Sequence, residues 1–341
     1  MVKAGQRLDV SSQAGEKTKD ADRNPYLFIV GCARSGTTLL QRIVASHPQI
    51  AITPSMHWIS GYFRKRKVSR PEDPVTPELV SGLLEDRKFD RFQICREDLE
   101  GLFGAGAPIP YSRFLAGIFE LYGEAQGKPL VGNKTAPYVR RLPALHAMWP
   151  RARFVHLIRD GRDVSLSVRN WSKVESTAGR YATWTQDPVT TTALWWKRKV
   201  LLGHEAGALL RPNLYHEIRY EELVTEPARA CADLCEFLGL PYSDAMLRFD
   251  ERRAGTDPDL ERAHPSFPIT RGLRDWRSQM PAEEVERFEA AAGDLLDELD
   301  YPRVFPRPSP RALEHAWEVH RVFTQDLRSN GSRLPERWDL A

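Results

Sequence analysis

The feature that most constrains the fold is an apolar run that ends in a glycine-bounded turn. Residues 26–30 read YLFIV, and residues 31–38 then read G-C-A-R-S-G-T-T. Apolar side chains at helical spacing follow in residues 39–44. This order predicts a buried parallel strand, a tight loop and a helix N-terminus. Successive backbone N–H groups in such a loop converge on one spot, so the pattern predicts an anion-binding site.

The loop lacks the lysine that the nucleotide-binding loops of kinases and ATPases carry after their second glycine. Thr37 occupies that position, and the cation is Arg34, inside the loop. The hydroxyl groups of Ser35, Thr37 and Thr38 can donate further hydrogen bonds. This arrangement favours a single terminal phosphate, or a donor with no triphosphate and no metal. A glycine-rich turn capped by Ser and Thr, without a ligand, is the alternative interpretation.

Composition argues against several classes of partner. The 341 residues include 49 basic and 46 acidic side chains, a balance that does not predict nucleic-acid binding. Cys231 and Cys235 lie one helical turn apart and are predicted to pack in the core rather than bind a metal. No apolar run is long enough for a membrane span and no signal segment is evident, so a cytoplasmic protein is expected. The sequence does not determine the oligomeric state, and a homodimer is one candidate.

Strands alternate with helices along the chain. Strand-and-turn patterns occur at residues 129–135, 153–158 and 214–219. They predict an α/β fold, a P-loop-type parallel sheet flanked by helices, with ligands at the carboxyl ends of the strands. The expected organisation is a flexible N-terminal segment (1–24), a single domain (25–300) with a substrate-facing helical insertion or lid (56–128), and a C-terminal extension (301–341) that packs on the domain.

A second pair of residues suited to an anion follows the strand at 153–158. Arg159 stands at the predicted strand end, and Ser167 follows eight residues later on the predicted helix. The guanidinium group can meet an anion with two hydrogen bonds, while the hydroxyl group donates from the helix face. Alone, the surrounding sequence RDGRD is a charged turn in which Asp160 or Asp163 caps the helix or forms a salt bridge. Arg162 and Asp163 are expected to orient the turn rather than contact a ligand.

The stretch ARSGTTLL, with HP downstream, resembles the 5′-phosphosulfate loop of sulfotransferases that use 3′-phosphoadenosine 5′-phosphosulfate (PAPS). It is most similar to the bacterial group related to tyrosylprotein sulfotransferases. The resemblance implies that the loop binds the 5′-phosphate and the adjoining sulfuryl group, with Arg34 neutralising the transferring group. The positions that match this loop are Arg34, Ser35, Gly36, Thr37 and Thr38.

The same resemblance covers residues 25–300 and implies further contacts to the donor. Arg159 and Ser167 match the family's 3′-phosphate site, and Tyr220 in IRYEELV matches a tyrosine that contacts the nucleotide. Arg271 and Gly272 match the late loop that closes on the nucleotide, with Arg274 as a further candidate and Trp276 as either a core anchor or an adenine contact.

The chemistry implied is in-line sulfuryl transfer without a metal, helped by positioning and charge neutralisation. Lys134 in GNKTAP matches a family lysine that faces the donor, although an exposed turn lysine is the alternative. Relatives commonly carry a glutamate base shortly after HP, where this sequence has Pro54 or Ser55. His57 is the nearest side chain that could accept a proton. His264, or an acceptor that is already ionised, is the alternative.

The function predicted from the sequence is transfer of a sulfuryl group from PAPS to a hydroxyl group of a small molecule, lipid or glycan. Two other hypotheses stay open. One is a P-loop kinase with a degenerate loop, which Thr37 disfavours. The other is a non-catalytic protein that binds PAPS or its product PAP, which the missing glutamate would explain.

Overall fold

The computed structural model describes residues 26–56, 59, 70–87, 89–103, 108–249, 274–338 and 340. In this part of the chain, five parallel strands form one sheet in the order β2-β3-β1-β4-β5. Every residue of the central strand is buried. The predicted parallel α/β fold is thereby confirmed. The strands are β1 (Leu27–Gly31), β2 (Ile50–Thr53), β3 (Leu130–Lys134), β4 (Arg153–Ile158) and β5 (Tyr215–Arg219).

Helices connect and flank the strands. None of the described helices is both long and apolar enough to cross a bilayer. Before β4 they are α1 (Thr37–Ala45), α2 (Pro77–Leu84), α3 (Arg96–Gly101), α4 (Tyr111–Gln126) and α5 (Leu142–Met148). After β4 they are α6 (Gly161–Arg169), α7 (Pro188–Ala208), α8 (Tyr220–Thr225), α9 (Pro227–Leu238), α10 (Trp276–Gln279), α11 (Ala282–Glu298) and α12 (Pro310–Ser329).

The two faces of the sheet carry different helices because successive side chains of a strand point to opposite faces. Leu27 and Ile29 of β1 join a core with α1 and α9, which includes Cys231 and Cys235 as buried free thiols, as predicted. Phe28 and Val30 face the other way and join a core with α4. A third cluster packs α7, α11 and α12 around the end of β4.

Helix α7 buries charged side chains that its sequence places beside two tryptophans. Trp195 and Trp196 pack inward, and the Trp196 indole N–H donates to the carbonyl oxygen of Arg159 at 3.0 Å. The next residue, Lys197, is also buried, and its ammonium group lies 2.8 Å from a carboxylate oxygen of Asp294 on α11. A buried ammonium group needs such a partner, so this ion pair fixes α7 against α11.

The C-terminal part of the chain contains a helix that the sequence analysis did not predict. Phe323 and Leu327 of α12 are fully buried, and the helix packs on α7 and α11. The Trp338 indole N–H donates to the hydroxyl oxygen of Thr324 at 2.7 Å. The sequence of α12 has a single apolar stripe among many charged residues, and for this reason the segment resembles a polar tail rather than a packed helix. The domain boundary at residue 300 stays a prediction.

A buried ion network joins the turn after β4 to α11. The guanidinium group of Arg162 is fully buried, 2.8 Å from a carboxylate oxygen of Asp160 and 2.6 Å from one of Glu289. It also lies 3.6 Å from the ring centre of Trp276, whose indole N–H donates to Asp160 at 2.9 Å. The network holds the start of α6 in one position relative to α11 and α10.

Replacing Arg162 by methionine should destabilise the fold strongly, because two buried carboxylates would lose their cation. We expect a loss of about 3–5 kcal/mol in the free energy of unfolding, measured by urea denaturation. Arg229→Met is the matched control, since Arg229 forms an exposed ion pair with Glu226, and its loss should stay below about 1 kcal/mol. Equal losses in the two variants would contradict a structural role for the network.

Candidate active site

The loop between β1 and α1 has the backbone shape of an anion cradle. Arg34 and Gly36 adopt positive φ angles of 74° and 95°. A Cβ atom at Gly36 would lie 2.5 Å from a ring carbon of Tyr220, so the position requires glycine both sterically and conformationally. Arg34 adopts this conformation without being glycine, and non-glycine residues in this region are commonly found at binding sites.

The N-terminus of α1 opens on the loop without a side-chain cap. Gly36 precedes the first helical residue, Thr37, and has no side chain that could accept a hydrogen bond from the N–H groups of the first turn. The hydroxyl oxygen of Ser35 is fully buried and has no hydrogen-bond partner among the described residues. Uncapped N–H groups and a buried hydroxyl group without a partner are what an anion at this helix end would satisfy.

Arg34 connects the loop to the second predicted anion site. Its Nε donates to the hydroxyl oxygen of Ser167 on α6 at 2.9 Å, and its guanidinium group lies 5.2 Å from the ring centre of Trp171. Burial lowers the pKa of Arg34, and the positive charges of Arg274 and Arg159 lower it further. Three arginines therefore share one region, where a negatively charged ligand would relieve their repulsion.

Arg159 is held at the carboxyl end of β4 by contacts on three sides. Its Nη2 donates to a carboxylate oxygen of Asp163 at 3.2 Å and to the carbonyl oxygen of Arg274 at 3.4 Å. The guanidinium group stacks on Tyr220, 4.2 Å from the ring centre. Its Nε is buried and has no hydrogen-bond partner among the described residues. This donor remains available to a ligand at the site.

Arg274 also lines an open cleft of about 440 Å³. Of the residues that line the cleft, only Arg274 was a candidate from the sequence. The other lining residues belong to no recognisable sequence motif. Trp171, which lies against Arg34, was missed for the same reason. The residues that line the cleft are Leu166, Arg169, Asn170, Arg274 and Gln279.

Lys134 reaches the loop from the last position of β3. Its ammonium group donates to the hydroxyl oxygen of Thr38 at 3.4 Å. The hydroxyl group of Ser55 donates to the carbonyl oxygen of Lys134 at 3.0 Å, and the N–H of Met56 donates to Thr135 at 3.2 Å. Ser55, one of the two positions at which the resemblance led us to expect a glutamate, therefore supports the backbone beside Lys134.

The turn after β4 forms a support for Arg159. The backbone N–H of Trp276 donates to Asp163 at 2.9 Å, and the buried indole group of Trp276 binds Asp160, so Trp276 serves as a core anchor. The backbone N–H of Asp160 donates to Glu221 at 2.9 Å. Arg162 and Asp163 thus bind other protein groups, in agreement with the predicted role in orienting the turn.

The structure brings the described candidates together at one edge of the sheet. Arg34 and Lys134 each contact another candidate directly, and Arg159 stacks on Tyr220, which in turn lies against Gly36. Four candidates lie outside the described residues: His57, His264, Arg271 and Gly272.

Comparison with known proteins gives a consistent result. The sequence profile of the "Sulfotransferase family" matches residues 25–244. The chain is 26% identical over 311 residues to "Protein-tyrosine sulfotransferase 1" of Danio rerio, and the aligned region covers 87% of this chain and 79% of the relative. It is 25% identical over 353 residues to "Nodulation protein NoeE" of Sinorhizobium fredii, which covers 95% of this chain and 76% of the relative.

Two solved structures share the fold. The sulfotransferase domain from the curacin biosynthetic pathway has a TM-score of 0.56 at 18% identity and covers 82% of this chain and 99% of its own. The sulfotransferase domain of the Synechococcus PCC 7002 olefin synthase has a TM-score of 0.54 at 21% identity, with 82% and 95% covered. Because the family profile spans more than half of the chain, and the fold agrees with it, the protein belongs to the sulfotransferase family and is an enzyme that transfers sulfate.

Proposed function

We propose that the protein transfers the sulfuryl group of PAPS to a hydroxyl group of its acceptor, by in-line displacement and without a metal in the reaction. The observation that carries this proposal is the contact between Arg34 in the loop and Ser167 on α6. It joins two anion sites at one sheet edge, and PAPS has anionic groups at both its 5′ and its 3′ positions. A donor with a single phosphate would need only one of the two sites.

The residues present fit this donor. The cradle at Gly36 has no room for a Cβ atom, and the hydroxyl group of Ser35 and the Nε of Arg159 are buried donors without described partners. Residues 31–38 would hold the 5′ end, and Arg159 with Ser167 would hold the 3′-phosphate. Tyr220 would keep the guanidinium plane of Arg159 in place. Arg271 and Gly272 are proposed to close over the nucleotide.

Charge neutralisation at the loop is assigned to two cations. PAPS supplies the sulfuryl group, whose bond to the bridging oxygen of the 5′-phosphate breaks as the acceptor oxygen attacks. Lys134 lies beside Thr38 and would offset the charge on that bridging oxygen, while Arg34 would offset the charge on the sulfuryl oxygens. Preorganised cations at such positions are worth several kcal/mol in the transition state.

The proton of the acceptor hydroxyl group needs a base within hydrogen-bond reach. Ser55 is committed to the backbone of Lys134 and is a poor base at neutral pH. We assign this role to His57, two residues further along the chain. His264 or an ionised acceptor is the alternative.

The acceptor is proposed from the relatives and the chemistry together. Relatives named protein-tyrosine sulfotransferase suggest a phenolic hydroxyl group, which loses its proton more easily than an alcohol. Hydroxyl groups of small molecules, lipids and glycans are the other candidates. Thr37 in place of the lysine that contacts ATP phosphates argues against a kinase. The segment 56–128 is proposed to shape the acceptor side.

Label transfer tests the proposed function. With sulfur-labelled PAPS and a panel of a tyrosine peptide, a simple phenol, an alcohol and a glycan, we expect label in at least one acceptor. With ATP labelled in its γ-phosphate, we expect none. Binding of PAP without transfer to any acceptor would favour the non-catalytic alternative, and transfer from ATP would favour a kinase.

Replacing Arg159 by glutamine should weaken PAP binding about 10- to 100-fold, because a charge-assisted contact to the 3′-phosphate is lost. The affinity for AMP, which lacks that phosphate, should remain nearly unchanged. Titration calorimetry with both nucleotides measures the difference. Arg229→Gln, on the exposed face of α9, is the control. Equal weakening of PAP and AMP would show that Arg159 acts only through the fold.

Replacing His57 by alanine should remove most of the turnover, by about 10²- to 10⁴-fold, as is typical for the loss of a general base. The affinity for PAP should be kept, because His57 is not assigned to the nucleotide. Turnover of His57→Ala should also recover partly with acceptors of low hydroxyl pKa, which need less help from a base. Unchanged turnover with a weakly acidic acceptor would refute the assignment.

A further inference from the structure

A second cluster of side chains with metal-ligating atoms lies between the sheet and α7, away from the loop. His156 on β4, Glu217 on β5 and His204 on α7 each place one ligating atom within 4.8 Å of the others. His156 and Glu217 are paired neighbours on parallel strands, so both side chains point towards α7. In the described part of the chain this is the one group of three such residues with metal-binding spacing.

The separations within the cluster are close to those of a metal's ligands. Nδ1 of His156 lies 3.9 Å from Oε1 of Glu217, and Nε2 of His204 lies 3.1 Å from the same oxygen. Ligands about 2.0–2.1 Å from a tetrahedral zinc ion stand about 3.3 Å apart. The two histidine nitrogens lie within 4.8 Å of each other, so closure of the three side chains around an ion would convert the observed arrangement into a coordination shell.

The backbone of α7 is adapted to this cluster. A Cβ atom at Gly203 would overlap the ring of His156, and a Cβ atom at Gly207 would overlap the ring of Tyr215. Glycine inside a helix costs about 1 kcal/mol relative to alanine. Two glycines one turn apart therefore lower the stability of α7. They also make the space in which the rings of His156 and Tyr215 lie against the helix, so the backbone of α7 is adapted to the position of these rings.

The surrounding groups orient the ligands as a metal site requires. The hydroxyl group of Tyr215 donates to Oε1 of Glu217 at 2.7 Å and lies 2.7 Å from Nδ1 of His156, so it bridges the two ligands, and an ion bound at Nδ1 would replace this bridge. Nδ1 of His204 lies 3.5 Å from a carboxylate oxygen of Glu298 on α11, and Arg337 lies 2.7 Å from the other oxygen. A carboxylate on the second ring nitrogen is the usual support for a histidine that binds a metal through its first.

The cluster offers donor atoms in a suitable state. His156 is fully buried, and the neutral imidazole group is a common ligand of divalent ions. Nε2 of His204 faces Glu217 without meeting hydrogen-bond geometry. The side chains of His204 and Glu217 are 21% and 36% exposed, so an ion can enter from solvent and a water can complete the shell.

We propose that His156, His204 and Glu217 bind one divalent ion of the zinc type, with water as the fourth ligand. Two imidazoles and one carboxylate are a donor set that zinc prefers. The ion would join β4, β5 and α7, and through Glu298 also α11. It is a structural clamp, separate from the sulfuryl transfer proposed above, which uses no metal.

Metal titration of the chelator-treated full-length protein tests this site. With Co²⁺ as probe we expect the visible absorption of a tetrahedral site, saturating at about one ion per chain. With Zn²⁺ we expect displacement of that signal and a rise in the melting temperature by several degrees. No absorption and no rise in melting temperature would show a hydrogen-bond network only, and would overturn the proposal.

Variants locate the bound ion. His204→Gln, at a partly exposed position, should weaken Co²⁺ binding at least about 100-fold, as should Glu217→Gln. His315→Gln is the matched control, since His315 also lies 2.8 Å from a carboxylate, that of Asp187, but has no second histidine. Circular dichroism and PAP binding verify that each variant folds. Equal binding by His204→Gln and the wild type would overturn the assignment.

Discussion

The parallel pairing of β1 with β4 is the constraint on which the site depends. Gly31 lies opposite Leu157, so the loop that follows β1 and the turn that follows β4 leave the sheet side by side. Only this pairing allows Arg34 of the loop to reach Ser167 and allows Tyr220 to fill the space beside Gly36. A different strand order would separate the two anion sites by at least one strand, about 5 Å.

The charged groups near the site fall into two sets with different roles. Arg162 is satisfied by Asp160 and Glu289, and its network keeps the turn after β4 rigid. Arg34 and Arg159 retain contacts to one hydroxyl group, one carbonyl group and one carboxylate, and the two guanidinium groups repel each other. The first set stabilises the fold, and the second carries positive charge that an anionic ligand would neutralise. This division is typical of binding sites that are preorganised before the ligand arrives.

Much of the fold followed from local patterns. The strand at 27–31, the helix ended by Gly127 and the strand-turn-helix at 153–169 all carry their signals within a few residues. Helix α12 was missed because its apolar stripe is narrow and because one of its partners, α7, lies more than a hundred residues away in the sequence. The burial of three consecutive basic residues in α7 could not be predicted from the sequence. Lys197, for example, is stabilised by Asp294, and no local sequence pattern connects these two residues.

The sequence by itself determined the anion cradle, because glycine positions, an apolar strand and the start of a helix act through neighbouring residues along the backbone. It also determined which cation replaces the usual lysine. The tertiary structure alone decided that Arg34 donates to Ser167, that Ser55 supports the backbone of Lys134, and that His156, His204 and Glu217 converge. Those contacts depend on the order of the strands and on which helix covers each face, and both are set by packing across the whole chain.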